Sequence, residues 1–312
     1  MANIPSFTLN DGTKIPALGM GCWMGSPGGS ERVYQMCLEA LKCGYRHFDT
    51  AAGYGNEVEV GRAIRDSGIP RDEIYLTTKL LNSGHHRVKE AFEESLNKLD
   101  VDYIDLYLMH WPQALVDGKV LGPEEHPTSI ETWKAMEQLL QTGKVKTIGV
   151  SNFSIKTLEH LLPHCEIIPA TNQVELHPCL PQADLKAYCE AKNILLTAYS
   201  PLGGQGTFFA EDATVQGLAR KLNASPAQIV ISWAVQRGTI AIPKSENKER
   251  MRTNMTLVSL SAEDMKVLDT LHQQTGMHKS LLPFHDESFG VYGWTYEQLG
   301  WNMVLGGVVP AA

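Results

Sequence analysis

No apolar run in this 312-residue chain approaches the ~18 residues a membrane-spanning helix needs, which argues against such a span. The opening Met-Ala-Asn-Ile-Pro has neither the basic stretch nor the apolar core of a secretory leader, so a soluble cytoplasmic protein is expected. The six cysteines (Cys22, Cys37, Cys43, Cys165, Cys179 and Cys189) lack Cys-x-x-Cys spacing, which argues against a disulfide framework and a zinc site. Positive charge is in deficit: a formal net charge of -8 opposes binding to nucleic acid. Missing too is a G-x-G-x-x-G fingerprint between a strand and a helix, so a Rossmann domain is disfavoured. Nothing resembles a coiled coil or a long apolar edge, and a monomer is expected.

What the chain does contain is alternation. Eight apolar segments (ALGMGC, RHFDT, IYLTTK, YIDLYLMH, KTIGVS, ATNQVE, ILLTAYS and TIAIPK) are separated by amphipathic stretches with apolar spacing near 3.6, such as RVKEAFEESLNKL and AQIVISWAVQRG. Gly68, Gly143 and Gly238 sit where helix C-caps belong, and Ser225-Pro226 reads as a helix start. The opening FTLNDGTKIPAL reads as a β-hairpin capping a barrel mouth. The pattern predicts an α/β fold: one domain over 1–312, a (β/α)8 TIM barrel with an N-terminal β-hairpin and a long C-terminal substrate loop.

Four chemically active residues fall at or just beyond three consecutive segment ends: Asp49 and Tyr54, Lys79, and His110. Any one of them alone is an ordinary loop or cap residue; together they form a proton-donating set. A phenol with a pKa of about 10 is a poor acid near neutrality unless a cation adjoins it. Lys79 suits that role, Asp49 suits pairing with the ammonium, and His110 suits orienting a carbonyl whose oxygen gains charge as a hydride arrives.

DTAAGYGNE, LTTKL, LMHWP, GVSNF, NQVELHP, AYSPLG and IPKS closely resemble signature segments of the aldo-keto reductase superfamily, in a dialect similar to fungal glycerol and small-sugar aldehyde reductases. The resemblance implies that Asp49, Tyr54, Lys79 and His110 are a catalytic tetrad with Tyr54 as general acid. It further implies that Ser151, Asn152 and Gln173 hold a nicotinamide carboxamide while Tyr199 stacks on the ring. Gly21, Cys22, Trp23, Ser200, Pro201, Leu202 and Gly203 are expected along the cofactor by the same carry-over, with Lys244, Ser245, Asn247, Arg250 and Asn254 at its adenosine end. The locally basic IPKSENKERMRTN favours NADPH, with NADH weaker, because Lys and Arg match a 2′-phosphate. Thr253 and the Glu246-Asn247 pair depart from the family pattern and loosen that preference. GGQGTFFAEDATV is shorter than the loop that covers the pyrophosphate in many relatives, which predicts faster cofactor release.

Trp23, Trp111 and Tyr292 are the expected substrate residues, with Phe289 and Trp294 of the tail as further candidates. The implied reaction is NADPH-dependent reduction of small aldehydes (glyceraldehyde, short sugars or uronic acids) and of ketones. Two alternatives stay open: a non-catalytic cofactor-sensing or structural protein of the same fold, and a metal-dependent hydrolase using His85, His86 and His110.

Overall fold

The computed structural model describes residues 4–204, 207–285 and 290–310. Each of the eight predicted apolar segments overlaps a strand: β1 (Met20–Gly21), β2 (His47–Asp49), β3 (Tyr75–Leu80), β4 (Ile104–Met109), β5 (Val145–Ser151), β6 (Thr171–Glu175), β7 (Leu195–Tyr199) and β8 (Ile240–Ile242). They pair in parallel in chain order. The barrel closes between its first and last strands, where Gly19 N–H donates to the Ala241 carbonyl and Ala241 N–H to that of Ala17, both at 2.9 Å. Gly21 belongs to this seam, since a Cβ there would lie 2.8 Å from the Ile242 carbonyl oxygen.

Around the barrel run α1 (Glu31–Lys42), α2 (Glu57–Asp66), α3 (Val88–Leu99), α4 (Ser129–Leu139), α5 (Ile155–Leu161), α6 (Ala183–Ala191), α7 (Ala213–Lys221), α8 (Pro226–Gln236), α9 (Lys248–Asn254) and α10 (Ala262–Asp269). Their ends obey the local chemistry. Ser225 caps α8 in a reciprocal capping box with Gln228, with Pro226 in the first turn. Gly68, Gly143 and Gly238 all take the left-handed conformation just past a helical segment.

The period of two along each strand decides what faces the barrel interior. On β4, Leu106 and Leu108 point inward while Tyr107 and Met109 pack against the helical layer. On β3 the outward series is Leu76, Thr78 and Leu80, with Thr78 donating to the Glu57 carboxylate on α2 at 2.6 Å. The inward series is therefore Tyr75, Thr77 and Lys79, climbing from the apolar floor to the mouth. The hairpin Ser6–Thr8/Lys14–Pro16 caps the opposite, N-terminal end: Leu9 and Ile15 join Leu106, Leu108, Ile240 and Ile242, and Asn10 donates to the carbonyls of Ile168 and Pro169. None of the described helices is long and apolar enough to cross a membrane.

The C-terminal tail returns across the mouth. Glu175, at the end of β6, accepts from Ser280 Oγ at 2.6 Å and from Leu281 N–H at 2.8 Å. Trp294 Nε1 donates to the Leu121 carbonyl at 2.6 Å, and Gln113 Nε2 to that of Val291 at 2.9 Å.

Candidate active site

Asp49 ends β2, Lys79 lies one residue before the end of β3, and His110 immediately follows β4. Tyr54 is delivered by a single 3-10 turn, Ala52–Tyr54, which ends on left-handed Gly55. These local choices bring the four residues together. Lys79 Nζ donates to Asp49 Oδ1 at 2.5 Å, to the Thr50 carbonyl at 2.8 Å and to the Tyr54 hydroxyl at 3.4 Å. The Lys79 and Asp49 side chains are 0% and 2% exposed, so the pair is dry and its desolvation must be offset by those bonds. The Tyr54 ring lies edge-on to His110 with centroids 5.7 Å apart, and the Trp23 ring packs tilted against it at 5.0 Å.

Burial pushes the Tyr54 phenol above its ordinary value, while the Lys79 ammonium pulls it down. The expected lowering by Lys79 is thus present as a contribution and outweighed by desolvation. Burial also works against the charge on Lys79, yet the Asp49 carboxylate, aided by Tyr54, holds the ammonium above the usual lysine value. Burial, reinforced by the Lys79 charge, drives the His110 imidazole well below its usual value. Near neutral pH the site therefore contains a protonated phenol, a charged amine and a neutral imidazole.

The amides expected to face a cofactor form one chain with this cluster. Gln173 Nε2 donates to Asp49 Oδ2 at 2.6 Å, so Asp49 bridges two donors, a contact that sequence reasoning missed. Ser151 Oγ donates to the Gln173 carbonyl at 2.8 Å, and Tyr199 OH to Asn152 Oδ1 at 2.8 Å. Asn152 and Ser200 adopt left-handed backbone conformations, Asn152 with its amide donating to the His110 carbonyl at 2.9 Å. Pro201 and Gly203 are buried beside them and Leu202 is half-buried.

Two of the expected residues are enclosed. Cys22 is fully buried; its N–H donates to the Asp49 carbonyl, its own carbonyl accepts from Asn56, and its thiol lies 3.9 Å from that of Cys37. It braces the loop that carries Trp23. Trp111 is 5% exposed, walled in by Phe284, Tyr292 and Trp301 of the tail. Trp294 likewise anchors the tail. Trp23, Leu81 and Tyr292 carry the exposed apolar surface near Tyr54 and His110, whereas Phe289 lies outside the described residues. Leu81 could have been found by counting two residues on from Lys79.

Beyond β8, Ser245 and Asn254 are buried, Asn247 caps α9 by accepting from Arg250 N–H at 2.9 Å, and Arg250 is exposed. Lys244 pairs with Glu246, which also binds Arg32 of α1. No sequence signal joined Arg32 to this group. Among the described residues, no three His, Cys, Asp or Glu side chains come together as a metal site would require; His85 instead lies 3.2 Å from the Thr132 hydroxyl on α4.

A family model described as aldo/keto reductase matches residues 17–273. The chain belongs to the aldo/keto reductase family. It is an oxidoreductase by that membership. Among similar members of this aldo/keto reductase family, the glycerol 2-dehydrogenase (NADP(+)) of Saccharomyces cerevisiae is 42% identical over 89% of this chain and 95% of its own. The aldehyde reductase YPR1 of the same yeast is 43% identical over 86% and 91%. An aldo-keto reductase of Bombyx mori, solved in complex with NADP, superposes with a TM-score of 0.80 at 36% identity, covering 86% of this chain and 93% of that one.

Proposed function

We propose that this single-domain barrel is an NADPH-dependent reductase of small hydrophilic aldehydes, glyceraldehyde, tetroses and uronic acids among them, running mainly toward the alcohol. The observation that carries the reading is the buried Asp49–Lys79–Tyr54 chain beside a neutral His110. The glycerol dehydrogenase and aldehyde reductase named among its yeast relatives support the substrate class.

The residues suit the cofactor. A half-buried Tyr199 ring, the amides of Asn152 and Gln173 and the Ser151 hydroxyl would hold the nicotinamide end; Lys244, Ser245, Arg250 and Asn254 supply the cations and buried polar groups a phosphorylated adenosine needs. When bound, NADPH supplies the hydride.

The protein's own part is proton delivery. An alcohol is about as weak an acid as water, so a phenol is the ready donor to the oxygen that becomes negative as hydride arrives, although burial weakens it as an acid. Its raised pKa keeps Tyr54 protonated at neutral pH, and Lys79 stabilises the phenolate left behind. Neutral His110 offers an N–H to hold the carbonyl oxygen without competing as an acid. Trp23, Leu81 and Tyr292 form an apolar rim around this polar centre.

The test is NADPH consumption with DL-glyceraldehyde, comparing wild type with Tyr54→Phe. The expected loss in the variant is about 10²–10⁴-fold in kcat. Wild-type protein that binds NADPH yet reduces no member of a broad aldehyde panel would replace this reading with cofactor binding alone.

A further inference from the structure

The loop after β8 contains a charge arrangement that opposes the work expected of it. Lys244, whose Cβ lies 3.8 Å from a Cβ built on Gly21 at the mouth, has its ammonium on the Glu246 carboxylate. Arg32, in the first turn of α1, binds the same carboxylate through Nε and, at 2.8 Å, through its terminal nitrogen. The Arg32 bond, with desolvation opposing it and Lys244 reinforcing it, holds the Glu246 carboxyl below its ordinary value. A second tie fixes the geometry: Lys248 Nζ on α9 reaches Glu39 of α1 at 2.6 Å. Arg250, by contrast, makes no ion pair among the described residues.

Resting on the cofactor reading above, we propose that Glu246 competes with the 2′-phosphate of NADPH for Lys244, so that this chain separates NADPH from NADH less sharply than its cations alone would. Lys244, Arg32 and Glu246 together carry one positive charge; without the carboxylate they carry two. A dianionic phosphate approaching Lys244 meets a carboxylate already seated there, at ion-pair range, and must displace it. NADH presents an uncharged hydroxyl at that position and meets no such repulsion. Arg32 holds the displaced carboxylate nearby, which keeps the competition local. One like-charge contact of this kind in a partly solvated site corresponds to about tenfold in affinity.

The measurement is fluorescence titration of NADPH and NADH onto wild type, Glu246→Gln and Glu246→Asp, with calorimetry of adenosine 2′-monophosphate against adenosine 5′-monophosphate as a readout independent of turnover. Glu246→Gln is expected to tighten NADPH and the 2′-phosphate about tenfold while NADH and the 5′-phosphate move less than about twofold. Glu246→Asp keeps the charge and is expected to stay close to wild type. A Glu246→Gln protein whose NADPH-to-NADH affinity ratio is unchanged or lower overturns the inference and leaves the reductase reading intact. Wild type that binds neither dinucleotide overturns the cofactor reading and this inference with it.

Discussion

Asp49→Asn keeps the size of the side chain and removes its charge, which makes it a clean probe of the buried cluster. Asp49 accepts from two donors, Lys79 at 2.5 Å and Gln173 at 2.6 Å. An asparagine has one carbonyl oxygen for them and turns its own amide donor toward the other. Lys79 would keep the Thr50 carbonyl and the Tyr54 hydroxyl but lose its counter-ion while its own side chain stays fully buried. Removing one partner of such a buried pair costs about 3–5 kcal/mol. The pH dependence is the sharper readout. In the wild type Lys79 is held above its ordinary value of 10.5, so its contribution is complete below that pH and is lost as pH rises through the higher folded value. In Asp49→Asn the main raising influence is gone and burial dominates, placing the folded pKa below the unfolded one. Between those two values the unfolded chain binds the extra proton, so stability rises with pH, by up to about 1.4 kcal/mol per unit. Urea unfolding from about pH 7 to about pH 9.5 should show a variant that regains stability on alkalinisation while the wild type does not. A loss under about 1 kcal/mol at neutral pH, with no such rise, would refute the reasoning.

The neutral state of His110 predicts that kcat/KM stays flat across about pH 5.5–7.5, where an ordinary histidine would titrate; a step near pH 6.5 that vanishes in His110→Gln would contradict it. Trp294→Ala should unfasten the tail from Leu121, raising KM for glyceraldehyde more than it lowers kcat and speeding proteolysis of the tail; an unchanged KM would show that the tail does not shape the pocket. Stopped-flow release of NADPH should be faster than from a relative with a longer loop after β7, and equal rates would remove the link between the short GGQGTFFAEDATV segment and cofactor enclosure.

The barrel was legible because parallel strands buried on both sides read as short apolar runs, and Asp49, Lys79 and His110 stood out as polar residues at the ends of those runs. Tyr54 was legible through its motif rather than its strand, since a 3-10 turn carries it. What the pattern did not reveal are contacts between distant segments. Gln173 on Asp49 and Arg32 on Glu246 join residues whose proximity follows only from closing the barrel. The fate of the tail aromatics was equally hidden, because a tryptophan on a loop has the same local signature whether it anchors, as Trp294 does, or lines a rim, as Trp23 does.

The seam between β1 and β8 sets the order in which this protein can finish folding during synthesis. Until Ile240–Ile242 leaves the ribosome, Ala17 and Gly19 present unpaired backbone groups, and the growing sheet has an open edge. The earliest barrel strand to emerge is thus among the last to be completed, and a ribosome stalled ahead of β8 holds a chain in which Asp49, Tyr54, Lys79 and His110 have all been made but whose wall is still open.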